Sequence, residues 1–411
     1  MKYFFPDSQD FVDPNYDFDA EKHSPLRVSQ RDDVYAHHLL PKPYDGLLIS
    51  KAIVDGVPGN TSKTRYSRGQ RYRLYREGAH AFFRLSNTYQ VMGDSGAFSY
   101  VNEASPPYNV DDLVNFYVKS RVNSGISLDH VIMDYQDRNR RLDSDAIQSA
   151  RERIEITLTN AEEFLRSSKG CAYTPYGVAQ GWDQNSYIGS VVSLLKMGYQ
   201  HITIGGVVSL NSAQICNLLD EIRSQVHDSF VIHLLGIGRL DIIPHLIKRN
   251  VTSVDSTTPL KQSFLNEKKN YRLGKETFCA IRLPQSFGNT KVKRAISSGK
   301  LSQEEVKNTE ELALRAIKEY GKRLLDIDET LKAIHRYESL VFDRGRSFLD
   351  EYARTLEMRP WELCDCNICK DIGVETVVFR GSERNKRRAF HNLYDFYSNL
   401  RTAYEKESFK N

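Results

Sequence analysis

The 411-residue chain is sparing with cysteine, having only six. It also has no stretch near the roughly 20 consecutive apolar residues that a membrane-spanning helix needs. Bulk charge is scarce. A formal net charge of +4 means that any affinity for nucleic acid has to come from local patches. There is no low-complexity segment, and no internal repeat beyond a simple strand–helix rhythm. The first residues, "MKYFFPDSQDFVDPNYDFDAEK", are acidic and broken by prolines, which is not the pattern of a signal peptide. Cys171, Cys216 and Cys279 are scattered singly, so the expected compartment is a reducing cytoplasm. What remains is ordinary. With 40% hydrophobic and 27% charged residues, the sequence suits a globular protein built as one large domain with additions, or as two or three smaller ones.

The other three cysteines are crowded into "ELCDCNICKD". Cys364, Cys366 and Cys369 put three sulfurs on one tight turn, and in a reducing compartment clustered thiols point to a metal rather than to disulfides. Structural zinc takes four tetrahedral ligands. His391, in "RRAFHNLYDFY", is the only histidine after the cluster and is the expected fourth ligand. A closed four-ligand site has a structural role, not a catalytic one.

The middle of the chain repeats a short apolar run followed by an amphipathic stretch. The runs are "TYQVMGD", "DHVIMD", "PYGVAQG", "HITIGG", "FVIHLLGIG" and "VTSVDS". Helices are predicted between them at 110–123, 145–167, 186–197, 211–226 and 240–249. Buried parallel strands read as continuous apolar runs, and strands alternating with helices imply βαβ units. The expected fold class is α/β, a (β/α)₈ barrel with a helical insertion and a C-terminal zinc-binding subdomain. A doubly wound sheet is the alternative. The expected divisions are an N-terminal arm at 1–45, the barrel core at 46–255, a mainly helical insertion at 256–360, and the zinc-binding subdomain with the last barrel helix at 361–411.

Asp94, Asp134 and Asp255 end three of the apolar runs, and Gln180 ends a fourth. For each aspartate alone, a helix cap or an Asx turn is the plainer reading. On one rim of one barrel, however, they form a pocket of acceptors suited to a ligand with several N–H donors, such as a purine. Gly205, Gly206, Gly236 and Gly238 would let the backbone approach that ligand. Phe98 could stack on it or belong to the core.

The series "GDSGAFSY", "VIMDYQ", "GVAQG", "TIGGV", "LLGIG", "SVDSTTP" and "CDCNIC…FHNL" resembles the tRNA-guanine transglycosylase family of zinc-containing (β/α)₈ barrels. The resemblance implies base exchange through a covalent sugar–enzyme intermediate. Asp255 matches the attacking aspartate, and Asp94 the aspartate that handles protons. Asp134, Gln180 and Gly206 match residues that recognise the base. Gly205, Leu235 and Gly236 fall in the same pocket, and Phe98 matches the stacking aromatic. Cys364, Cys366, Cys369 and His391 match the zinc ligands.

Departures from the tRNA enzymes point towards DNA. In "DSTTPLKQSFLN", Lys261 replaces an arginine of the tRNA-reading segment. The stretch between Asp255 and Cys364 is longer than in the bacterial tRNA enzymes, and no C-terminal RNA-binding module is expected. These features resemble the DNA-guanine transglycosylase branch, which inserts 7-cyano-7-deazaguanine (preQ0) into DNA. Asn211 stands where the bacterial tRNA enzymes keep an acidic partner for an aminomethyl base, which favours the neutral nitrile. Candidate DNA contacts are Lys261, Arg65, Arg68, Arg71 and Arg73, together with Arg384, Arg387 and Arg388 beside the zinc site. The branch also implies guanine as the leaving base and an ATPase partner from a DNA modification and restriction system, and a homodimer is expected. The alternatives are a divergent tRNA enzyme and a non-catalytic partner subunit.

Overall fold

The computed structural model describes residues 1–58, 65–226, 229–342 and 347–408. Lys63, part of the basic stretch around Arg65–Arg76, lies outside them. The described chain divides into two compact units. One comprises Met1–Gln9, Tyr44–Thr258 and the segment from Asn399 onwards; the other comprises Asp10–Pro43 and Pro259–Ser398.

The first unit is a closed barrel of eight parallel strands in sequence order. These are β1 (Lys2–Pro6), β2 (Gly46–Ser50), β3 (Gln90–Asp94), β4 (Ser124–Ile126), β5 (Thr174–Ala179), β6 (His201–Ile204), β7 (Val231–Leu234) and β8 (Val251–Asp255). β1 closes the ring by pairing with both β2 and β8. Residues 2–6 therefore belong to the barrel and not to the arm expected at 1–45. Phe4, Leu48, Met92, Ile126 and Val178, from five consecutive strands, meet in one apolar cluster, and such residues can meet only inside the barrel. The connecting helices are Val110–Ser120, Ser144–Ser167, Gln184–Met197, Ser212–Gln225 and Ile243–Lys248, close to the predicted ranges. Their starts are fixed by side-chain caps. Asp143 accepts from Ala146 N, Asp183 from Ser186 N and Asn211 from Gln214 N, satisfying donors that have no partner within the helix.

β4 departs from expectation. The strand is the short Ser-Gly-Ile of residues 124–126, and "DHVIMD" is irregular chain after it. The position at the end of the strand thus shifts from Asp134 to the neighbourhood of Asp129.

In the second unit, the long helices Gln303–Gly321 and Ile327–Val341 are followed by the helix Leu349–Met358. Two small sheets accompany them: the antiparallel pair Tyr271–Leu273 with Glu276–Phe278, and the parallel pair Ile281–Arg282 with Val378–Phe379. The region expected to be mainly helical therefore carries short strands as well, and it forms one unit with residues 10–43 and the cysteine cluster.

Candidate active site and metal centre

Asp94 and Asp255 are the last residues of β3 and β8. In a parallel barrel this end of the strands carries the reactive groups. Asp255 is buried, and its Oδ1 accepts from Gly236 N at 2.9 Å. Asp94 Oδ2 accepts from Gly96 N at 2.9 Å. Burial, then the charges of Asp129 and Asp255, push the Asp94 carboxyl up from 3.8 to about 8. The three carboxylates are thus close enough to act on one another.

Asp129 is the member that the sequence pattern missed. It is buried, and its oxygens accept from Ser95 Oγ at 3.1 Å and Gln180 Nε2 at 2.8 Å. Burial raises its pKa to about 6, against these hydrogen bonds. Tyr100 braces the arrangement: its single hydroxyl proton faces both Ser95 Oγ at 2.9 Å and the Asp129 carbonyl at 3.1 Å. Asp134, the predicted base-recognition residue, is elsewhere: its side chain is 56% exposed and pairs with Arg140 at 2.6 Å. The leucine and aspartate at 128–129, directly after β4, were the available signal, but the apolar "HVIM" drew the assignment onwards.

Gln180 follows β5 and is buried, as expected of a pocket residue. Gly205 lies against it: a Cβ there would stand 2.3 Å from Gln180 Nε2. Gly206 has φ +73°, a conformation that favours glycine. Gly236 presents its N–H to Asp255. Leu235 is partly buried and packs against the interior cluster. Phe98, on the turn Ala97–Tyr100, is 52% exposed, so it is no core residue and is free to meet a ring.

The predicted basic contacts divide. Lys261, Arg65 and Arg68 are exposed. Arg71 donates to the Asp55 carbonyl, and Arg73 lies over Phe82 near Glu77. Arg384, Arg387 and Arg388 are not available to phosphates: all three are buried. Arg384 pairs with Glu21 and Glu375, and Arg387 with Glu383. Arg388 donates to the Val378 and Ser263 carbonyls and to Asn385. A buried charge needs such partners, and here they come both from neighbouring residues and from the distant Glu21 and Ser263.

The second unit brings Cys364, Cys366, Cys369 and His391 together, with ligand atoms all within 4.8 Å of one another. His391 Nδ1 lies 3.3–3.4 Å from the three sulfurs. Its Nε2 is 2.6 Å from the Arg272 carbonyl. A carbonyl only accepts, so Nε2 carries the proton and the Nδ1 lone pair faces the thiols. An imidazole held by a backbone carbonyl in this way is the usual support for a metal ligand. Tyr271 stacks on the ring at 4.1 Å. The donor set fits a metal ion.

The closed parallel barrel, with a buried carboxyl pushed up in pKa and a second carboxyl group both at strand ends, is an arrangement suited to a barrel enzyme of the glycosyl-transfer class. No protein-family model matches the chain. It is 45% identical to the DNA-guanine transglycosylase of Salmonella montevideo over 403 residues, covering 97% of this chain and 96% of that protein. It is 26% identical to the queuine tRNA-ribosyltransferase of Marinobacter nauticus over 118 residues, covering 28% of this chain and 32% of that one. The chain belongs to the DNA-guanine transglycosylase family.

Proposed function

We propose that this chain exchanges guanine in DNA for a 7-deazaguanine base by two displacements at C1′. The observation that carries this is the carboxyl arrangement at the barrel mouth. With its pKa near 8, Asp94 holds a proton at pH 7, while Asp255 is presented by a backbone N–H. In the first step an Asp255 oxygen bonds to C1′, the C1′–N9 bond breaks, and Asp94 protonates the departing guanine. In the second step N9 of the incoming base bonds to C1′, the ester bond to Asp255 breaks, and the N9 proton passes to the Asp94 carboxylate. Two inversions restore the configuration. The target nucleotide has to leave its stack to reach such a pocket.

Asp129 takes the base-recognition role first given to Asp134. It accepts from donors on the base edge, with Gln180 beside it and Phe98 stacking. DNA as the polymer is supported by the near-full-length similarity to a protein named for DNA, against a match to a tRNA enzyme over about a quarter of the chain. The finer expectations are preQ0 as the incoming base, a cytoplasmic DNA modification and restriction system, an ATPase partner and a homodimer. For preQ0, Asn211 is engaged as a helix cap and offers no charge to a cationic base. Three thiols and one imidazole suit zinc, closed to substrate and structural. Lys261, Arg65 and Arg68 are the exposed candidates for phosphate contact.

To test this, the protein is incubated with duplex DNA or tRNA and labelled guanine or preQ0, and the nucleosides are then identified. Label in DNA is expected. Label in tRNA alone would overturn the proposal.

A further inference from the structure

Beneath Asp255 the barrel interior turns polar. Thr203, His233 and Ser253 stand in register on β6, β7 and β8, and all are buried. His233 is wholly enclosed, with the Phe4 ring edge-on at 6.1 Å. Its Nδ1 lies 2.9 Å from Ser253 Oγ, and its Nε2 lies 3.3 Å from Asp255 Oδ1. Among the described residues, Nε2 has no aligned hydrogen-bond partner. An enclosed imidazole nitrogen 3.3 Å from a carboxylate oxygen, yet unaligned with it, is a poor filler for a barrel core. The sequence gives no hint of it, since "VIHLLG" reads as an apolar strand.

We infer that His233 is a positioning residue for the transferase reaction, holding Asp255 Oδ1 so that Oδ2 attacks C1′ and later departs from it. This rests on the function proposed above. The Ser253 hydroxyl satisfies both groups by donating to Nδ1, which leaves the proton on Nε2, 3.3 Å from Oδ1, where a rotation of the ring would align it. Gly236 N–H already binds the same oxygen. Once Nε2–H aligns, two donors on Oδ1 leave Oδ2 as the nucleophile.

The consequence falls unequally on the two steps. A hydrogen bond to a carboxylate is stronger than one to an ester carbonyl. In the first displacement the carboxylate loses charge on becoming an ester, so the His233 contact gives no help there. In the second displacement the C1′–Oδ2 bond breaks as N9 of the incoming base bonds to C1′, and the carboxylate charge returns, partly on Oδ1. The N–H then stabilises the leaving group. His233 therefore accelerates release from the covalent intermediate.

The test uses the full chain with duplex DNA and incoming base, comparing wild type with His233→Phe, His233→Gln and Ser253→Ala. Steady-state kinetics and the fraction of protein covalently bound to DNA after denaturing quench are measured. In His233→Phe, kcat should fall about tenfold, the scale of one charge-assisted hydrogen bond, while the bound fraction rises. Glutamine keeps an N–H donor for Oδ1 and should restore most of kcat. Ser253→Ala should shift both readouts in the direction of phenylalanine, by less. These outcomes support the inference. If the phenylalanine and alanine variants release the intermediate as fast as wild type, or if kcat falls in both histidine variants without accumulation, it is overturned. If phenylalanine does not fold, the glutamine and alanine variants decide alone by the same readout. A wild type that never exchanges guanine in DNA would instead overturn the proposed function, and the inference with it.

Discussion

Replacing Asp94 by asparagine should stabilise the protein while abolishing exchange. The carboxyl titrates near 3.8 in the unfolded chain and near 8 in the folded one, chiefly through burial and then through Asp129 and Asp255. Below pH 4 both states hold the proton, so the group costs nothing. As pH rises, the unfolded state ionises while the folded state does not, and stability falls until about pH 8, where the folded group ionises too. At about 1.4 kcal/mol per unit, a rise of about 4 units is worth at most about 6 kcal/mol. The side chain keeps some solvent contact, and screening reduces the expected figure to about 2–3 kcal/mol. Asparagine is isosteric, does not ionise, and still offers an oxygen to Gly96 N–H. Urea denaturation of both proteins at pH 5 and pH 8 gives the comparison. The stability gain of the variant should be larger at pH 8 than at pH 5. A variant less stable at pH 8, or a gain that does not change with pH, would refute a buried, protonated Asp94.

Asp129→Asn should raise KM for the incoming base at least tenfold, because one acceptor becomes a donor, whereas Asp134→Asn should leave steady-state kinetics within about twofold. Arg384→Met should destabilise the protein by about 2 kcal/mol in thermal melts, since Glu21 would keep only Arg380 and Glu375 only Lys318 as cationic partners. A DNA contact at Arg384 would instead weaken DNA binding without moving the melt. Cys369→Ser should lose stoichiometric metal in elemental analysis and lower the melting temperature of the protein, since metal affinity is coupled to folding.

The barrel was legible where burial on both faces makes strands continuous in sequence. "QVMGD", "HITI" and "VTSVD" mark β3, β6 and β8 directly. β4 was not, because Ser-Gly-Ile carries too few apolar atoms to stand out, and the next apolar run pulled the assignment from Asp129 to Asp134. β1 was lost because a five-residue strand ending in Pro6 sits among polar residues, and only its pairing with β8 reveals it. The metal centre was readable because three of its four ligands are local. The arginines at 384–388 were misread for the opposite reason. Their neutralising partners are Glu21, Glu375 and Glu383, and the spacing of these residues alone does not distinguish a paired, buried cluster from a solvated patch.

The central claim is a covalent bond between Asp255 and the sugar. Quenching the reaction mid-turnover, digesting the protein and mapping the nucleotide-bearing peptide by mass spectrometry tests it directly. The adduct should fall on Asp255 and vanish in Asp255→Ala, which should keep its metal. An adduct on any other residue, or exchange by Asp255→Ala, would contradict the account.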